Sequence, residues 1–232
     1  MKTLKPFKVT ASGPLYRVKT ASQVNPKLVG SVEWRKEHYI LSFDFKPMPL
    51  PPKPIRFGLS KKYSWRLASY SPGVGIKSPL KPCPPAGITV RAPASLAEHV
   101  KFIKIAYKAY LKEWGNLVPT GVEKYYPKYI KEYPKKLTSL LVFKDKKFCG
   151  MFSHVKATGV MGDKQNYMTW YSLLPGLTPA ERRSVHYQAS VWLKKTASRR
   201  VAVLVESFEK DCLKFFSSLG FIARRIVIER HP

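Results

Sequence analysis

The chain has 232 residues, 44% of them hydrophobic, which is enough to bury a core and too much for a wholly disordered protein. No apolar run approaches the roughly 18 residues of a membrane-spanning helix, and the basic N-terminus lacks the apolar stretch of a secretory signal, although an organellar transit peptide is compatible with it. Lys and Arg number 42 against 14 Asp and Glu, a net charge of +28. Charge of one sign on that scale repels itself in a compact chain unless a polyanion or salt relieves it. It suggests a nucleic acid or other polyanionic partner, the alternative being a solubilising surface or a generally basic proteome.

Residues 1–85 hold 13 of the 20 prolines and carry +13, so they are expected to form a Pro-rich basic arm. Partial alternation from Val29 to Phe45, through Val32, Trp34, Tyr39, Leu41 and Phe43, predicts a β-ribbon. The Pro-rich stretch Pro47 to Pro54 predicts an extended polyproline segment, because each ring fixes φ. Beyond it Arg56, Phe57, Lys61, Lys62, Tyr63, Trp65, Arg66 and Tyr70 interleave cations with aromatics. Such a pattern suits stacking on bases between phosphate contacts, or equally packing of the arm onto a main domain.

Residues 86–232 show regular alternating elements and are expected to form the main domain. Ile88–Arg91 predicts a short strand. Ser95, with Glu98 three residues on, predicts a capped helix start, and Leu96, Val100, Ile103, Tyr107, Tyr110 and Trp114 continue it at helical spacing. A second helix is predicted from Gly121 to Tyr133. There Tyr125, Tyr126, Tyr129 and Tyr133 interleave with Lys124, Lys128 and Lys131, either as a basic aromatic face or as ordinary packing. A hairpin follows, residues 137–144 and 148–158, with its turn at Lys144–Lys147. Then come a strand over residues 167–174, a helix over 178–197, a strand over 201–207, a helix over 209–219 and a last strand over 221–229. The β-α-β spacing requires strands 167–174 and 201–207 to run parallel.

The three cysteines, Cys83, Cys149 and Cys212, are scattered, which argues against a disulfide framework and for a reducing, cytoplasmic setting. No Cys/His cluster has metal-ligand spacing, so no metal is expected. Phosphate-binding, dinucleotide-binding, metalloprotease and serine-nucleophile motifs are all absent.

The element order β-α-α-β-β-β-α-β-α-β is similar to that of the Gcn5-related N-acetyltransferase (GNAT) family. The strongest local resemblance is Val201–Ser207 followed by Asp211–Phe221, whose Leu219-Gly220-Phe221 looks like the family's ending of a helix on glycine before the last strand. The resemblance covers about 145 residues and implies a fold and a chemistry. The fold is α/β (α+β): a mixed, twisted sheet flanked by helices. The chemistry is acyl transfer from acetyl-CoA, or a related acyl-CoA, to an amine.

On the resemblance, pantetheine would lie along the 167–174 strand beside Ser172, Leu173, Leu174 and Gly176, and the pyrophosphate would meet the next helix start near Arg182, Arg183 and Ser184. Two departures stand out. The stretch from Leu177 to Gln188 lacks the glycines that let a backbone approach phosphate. Thr178-Pro179-Ala180-Glu181 reads instead as a capping box with proline at the first helical position. The position of the family's tyrosine acid is Phe216, which cannot donate a proton and is left with cofactor contact. Glu206 is the candidate base, the alternative being a surface carboxylate paired with a neighbouring Lys. His154 and Tyr171 are further catalytic candidates, against a satisfied strand histidine and a core tyrosine. The resulting expectation is a divergent acyltransferase acting on or near a nucleic acid, with a non-catalytic GNAT-like binding protein as the alternative.

Overall fold

A computed structural model describes residues 5–6, 8–10, 13–31, 40–53, 63–84, 87–114, 134–159, 162–206 and 209–230. The chain folds as two compact units. One joins Met1–Pro72 to Val203–Pro232, and the other is Gly73–Ala202.

The first unit contains β1 (Lys8–Thr10), β2 (Gly13–Arg17), the short helix α1 (Pro26–Ser31), β3 (Ile40–Pro49) and β4 (Tyr63–Val74). It also holds the end of β9 (Arg200–Glu206), then α4 (Lys210–Ser218) and β10 (Ile222–Arg230). Its strand order is β1-β2-β3-β10-β4-β9. The last strand, β10, is hydrogen-bonded antiparallel to β3 on one side and to β4 on the other, with Ile226 opposite Phe43 and Leu67. The N-terminal segment is therefore built into the sheet by the C-terminal strand. On β3, Leu41, Phe43 and Phe45 alternate inward and are buried, the period-two pattern of a half-buried strand.

Helix α4 ends in a Schellman motif. Gly220 takes φ +75°, its N–H donates to Ser217 O, and the Phe221 N–H donates to Phe216 O at 3.1 Å. The rings of Phe216 and Phe221 meet at 4.9 Å, the apolar contact that accompanies this cap.

The second unit holds β5 (Ile88–Arg91), α2 (Leu96–Trp114), β6 (Thr138–Lys144), β7 (Lys147–Thr158), β8 (Lys164–Leu173), α3 (Pro179–Thr196) and the start of β9. Strands β5 to β8 form an antiparallel meander, and α3 then crosses over so that β9 pairs parallel with β8. The parallel pair is the expected one. Ser95 caps α2 by accepting the Glu98 N–H at 3.1 Å. On α2, Phe102, Ile103 and Ala106 are buried and pack with Leu141, Phe143 and Met151. The fold class is α/β, as expected: a mixed sheet flanked by helices.

Two expectations for the N-terminal segment need correction. Of the ribbon expected from Val29 to Phe45, residues 40–45 are strand but residues 29–31 belong to α1, because Asn25 Oδ1 accepts the Leu28 N–H at 3.0 Å and starts a turn. Pro47 and Pro49 lie within β3, not in a polyproline segment. The pairing of β3 with β10 jumps from Asp44↔Arg225 to Met48↔Ala223, so Pro47 occupies an irregularity where its missing N–H is tolerated. The later part of the cation-aromatic stretch, from Tyr63 to Tyr70, lies within one continuous strand, Tyr63–Val74. The predicted 121–133 helix lies outside the described residues, as do Val32, Trp34, Tyr39 and the 54–62 cation-aromatic stretch.

Candidate functional site

In the second unit, the expected cofactor segment is the end of β8 and the start of α3. The ladder between β8 and β9 pairs Gln165↔Arg200, Asn166↔Val201 and Tyr167↔Ala202. Strand β8 runs on to Leu173, held on its other side by β7 as far as Gly150↔Leu173. Gly150 is required there, since a Cβ would sit 2.5 Å from Ser172 O. The Leu174 N–H continues the pairing, donating to Cys149 O at 2.8 Å. Ser172, Leu173 and Leu174 are half-buried, and Gly176 is exposed with φ +98°.

The start of α3 is the capping box expected from its sequence. Thr178 Oγ1 accepts the Glu181 N–H at 3.3 Å, and Glu181 Oε2 accepts the Thr178 N–H at 2.7 Å. Pro179 has no N–H to offer, and the Arg182 N–H already donates to Thr178 O. The donors that would cradle a pyrophosphate are thus largely engaged within the helix. Glu181 also carries a charge at this point. The Lys144 ammonium, at 2.7 Å, holds its carboxyl below the usual range. A backbone cradle for a pyrophosphate does not fit these residues.

What remains is side-chain chemistry. Arg182 is half-buried, with Nε donating to Leu177 O at 3.3 Å, and Arg183 is exposed. Ser184, expected beside the phosphates, is buried, and its Oγ accepts from Gln188 Nε2.

Tyr171 and His186 come together: the hydroxyl and Nε2 share a 2.7 Å hydrogen bond. Phe152 packs edge-on to the Tyr171 ring at 5.2 Å. Sequence reasoning assigned His186 to packing, and nothing in its local spacing marks it as a partner for a strand tyrosine.

His154 is committed elsewhere. The Thr196 hydroxyl donates its one proton to Trp192 O, so His154 Nε2 must donate to Thr196 Oγ1 at 3.0 Å. Nδ1 accepts from Asn166 Nδ2, whose Oδ1 in turn takes the Arg199 N–H. Burial, helped by Lys156, pushes the imidazole down to about 4. Both nitrogens are spent, and the ring is a neutral structural linker.

In the first unit, Glu206 ends β9 with its side chain 18% exposed. The Arg66 guanidinium, from β4, stands between two carboxylates: Glu229 of β10 at 2.7 Å and Glu206 at 3.8 Å. The closer pair is Arg66–Glu229. Burial raises Glu206 to about 7, with Arg66 opposing and Glu229 adding to the rise. A carboxyl poised there exchanges a proton near neutrality. Neither partner was visible from the sequence, since each comes from a distant strand.

Phe216 is a core residue. It is 0% exposed and packs between Phe215 and Phe221, each at 4.9 Å. Burial also pushes the Cys149 thiol up to about 11 and raises the Cys212 thiol well above its ordinary value, so neither is an activated nucleophile. Among the described residues no group of three His, Cys, Asp or Glu side chains gathers to hold a metal, and no helix is long and apolar enough to cross a membrane.

No family model and no curated protein matches the chain. Solved structures do. A functionally unknown conserved protein from Staphylococcus epidermidis aligns with a TM-score of 0.50 at 12% identity, over 94% of this chain and 84% of that one. A GCN5-related N-acetyltransferase from Kribbella flavida aligns with a TM-score of 0.46 at 14% identity, over 94% and 81%. The PaiA N-acetyltransferase from Thermoplasma acidophilum, in complex with coenzyme A, aligns with a TM-score of 0.40 at 14% identity, over 62% and 99%. At these identities the likeness is one of fold.

Proposed function

From its GNAT-type fold, we propose that this protein is a divergent cytoplasmic N-acyltransferase, moving an acyl group from acetyl-CoA or a related thioester to an amine on or near a nucleic acid or other polyanion. The observation that carries the reading is Glu206, a carboxyl at the end of β9 that burial lifts to about 7. At that value it takes a proton from an ammonium acceptor and passes it to water near neutral pH. The thioester, when bound, supplies an activated acyl carbon. Tyr171 holds at its hydroxyl, against His186 Nε2, the proton that a leaving group requires. Arg182 and Arg183 would hold the phosphates by charge-assisted hydrogen bonds, replacing the backbone donors that the capping box has taken.

Calorimetry with acetyl-CoA tests this. The wild type should bind, and Arg182→Ala with Arg183→Ala should weaken binding by about 2–4 kcal/mol. A second reading, a non-catalytic polyanion-binding protein on the same scaffold, is favoured by the closed capping box and by Phe216 in the core. A wild-type protein that does not bind acetyl-CoA decides for it.

A further inference from the structure

The first unit contains a cleft of about 580 Å³ that none of the preceding chemistry uses. Among the described residues its lining gathers four cations, Arg17, Lys19, Lys46 and Arg224, and one acid, Asp44.

Strand pairing explains why they converge. Arg17 is the parallel partner of Asp44, and Asp44 is the antiparallel partner of Arg225, which sets these three side by side across β2, β3 and β10. The Val18 N–H donates to Asp44 O at 2.8 Å, and the Lys46 N–H to Lys19 O at 3.4 Å, so the chain after β2 stays alongside β3 and brings the two lysines together. The ladder irregularity does the rest. Arg224 is the extra residue between Ala223 and Arg225 against β4, and Lys46 lies in the stretch between Asp44 and Met48. Bulges re-aim side chains in this way. Arg224 turns outward with its guanidinium over the Tyr70 ring at 5.8 Å.

The acid does not offset these charges. The Asp44 carboxylate receives Nε and, at 3.3 Å, Nη2 of the buried Arg225, a cation outside the lining. Asp44 is thereby neutralised from beneath, and the cleft keeps a surplus of positive charge. Holding so much like charge around one opening costs energy that an anion in the opening recovers.

We propose that this cleft binds the phosphodiester backbone of a single nucleic-acid strand. The volume fits a short run of one strand and is too small to enclose a duplex, and a positively charged groove that tracks the backbone is the usual form of single-strand binding. The proposal deepens the polyanion half of the function above and is independent of its acyl-transfer half.

The test is fluorescence anisotropy of the full-length protein with a short labelled RNA strand of mixed sequence, across a salt series. Replacing Arg17, Lys19, Lys46 and Arg224 together by Ala should lower affinity at least about tenfold. It should also flatten the log–log salt dependence by roughly 2–3, about 0.7 for each phosphate no longer neutralised. Replacing the exposed Lys104, Lys108, Lys112 and Lys147 by Ala removes the same charge from the second unit and should change affinity less than about threefold. Should the fourfold variant lose its circular dichroism signal, Lys19→Glu with Lys46→Glu, both exposed, carries the same expectation.

Equal losses in the cleft and control variants would overturn the proposal, since the attraction would then be diffuse. Wild-type protein that binds vesicles of phosphatidylserine but no RNA overturns it as well. So does a thermal shift with inorganic phosphate that depends on the cleft in the absence of RNA binding, which assigns the cleft to a small phosphate ligand. Acetyl-CoA calorimetry on the cleft variants should match the wild type, so this proposal and the acyltransferase reading fail separately.

Discussion

Glu206 ties the proposed chemistry to stability. Its folded value near 7 lies above the ordinary 4.5, so between those values the folded chain holds a proton that the unfolded chain has released. The contribution to stability is fully present below about 4.5 and is lost as pH rises through about 7. Glu206→Gln should therefore raise unfolding free energy relative to wild type at about pH 8, by on the order of 1–3 kcal/mol, with no gain near pH 4. Urea unfolding across that range checks it, and parallel curves for the two proteins would contradict the cause given for the shift. At this scale the sequence was informative about what a residue is and silent about what surrounds it. Phe216 could be read as unable to donate a proton, because that follows from identity alone. The engagement of His154 with Asn166 and Thr196, and the placing of Arg66 between two carboxylates, depend on long-range pairings that no local spacing encodes.

The β6–β7 hairpin turns through Asp145 at φ +49° and Lys146 at φ +64°, a two-residue loop closed by Lys144↔Lys147. Both residues occupy the left-handed region that such a turn demands, and only the second position normally takes glycine. Lys146→Gly should stabilise the protein by about 0.5–1 kcal/mol, since the relief of left-handed strain exceeds the added unfolded-state entropy. Thermal or urea unfolding measures it, and a loss of stability would mean that the lysine makes a compensating interaction. Elements were legible wherever a side chain writes the boundary: Ser95 with Glu98, Thr178 with Glu181, and Gly220 each mark an end by a local hydrogen bond. They were illegible where tertiary pairing overrides local preference. Prolines usually argue against a strand, yet β3 carries Pro47 and Pro49, because its ladder with β10 is irregular at that point.

With a net charge of +28, the folded chain repels itself, and salt screens that repulsion within about 10 Å at 0.1 M. The melting temperature should accordingly rise by several degrees between about 10 and 200 mM sodium chloride, where a chain of balanced charge would change little. Differential scanning fluorimetry reads this directly, and a flat response would place the charges far enough apart not to interact. Among the described residues, the order of elements from residue 86 onward was legible because each is specified within its own segment. The grouping of residues 1–72 with 203–232 was not, because β10 alone links β3 to β4. That arrangement has a consequence during synthesis. Strands β3 and β4 leave the ribosome well before the strand that zips them together. At about 5–20 residues per second, a gap of roughly 150 residues leaves two strand edges waiting about 8–30 s for their partner. Over that interval the nascent chain exposes unpaired backbone and apolar side chains from Leu41 to Leu67. Efficient production in the cell then calls for a chaperone that shields the early segment until translation passes the end of β10.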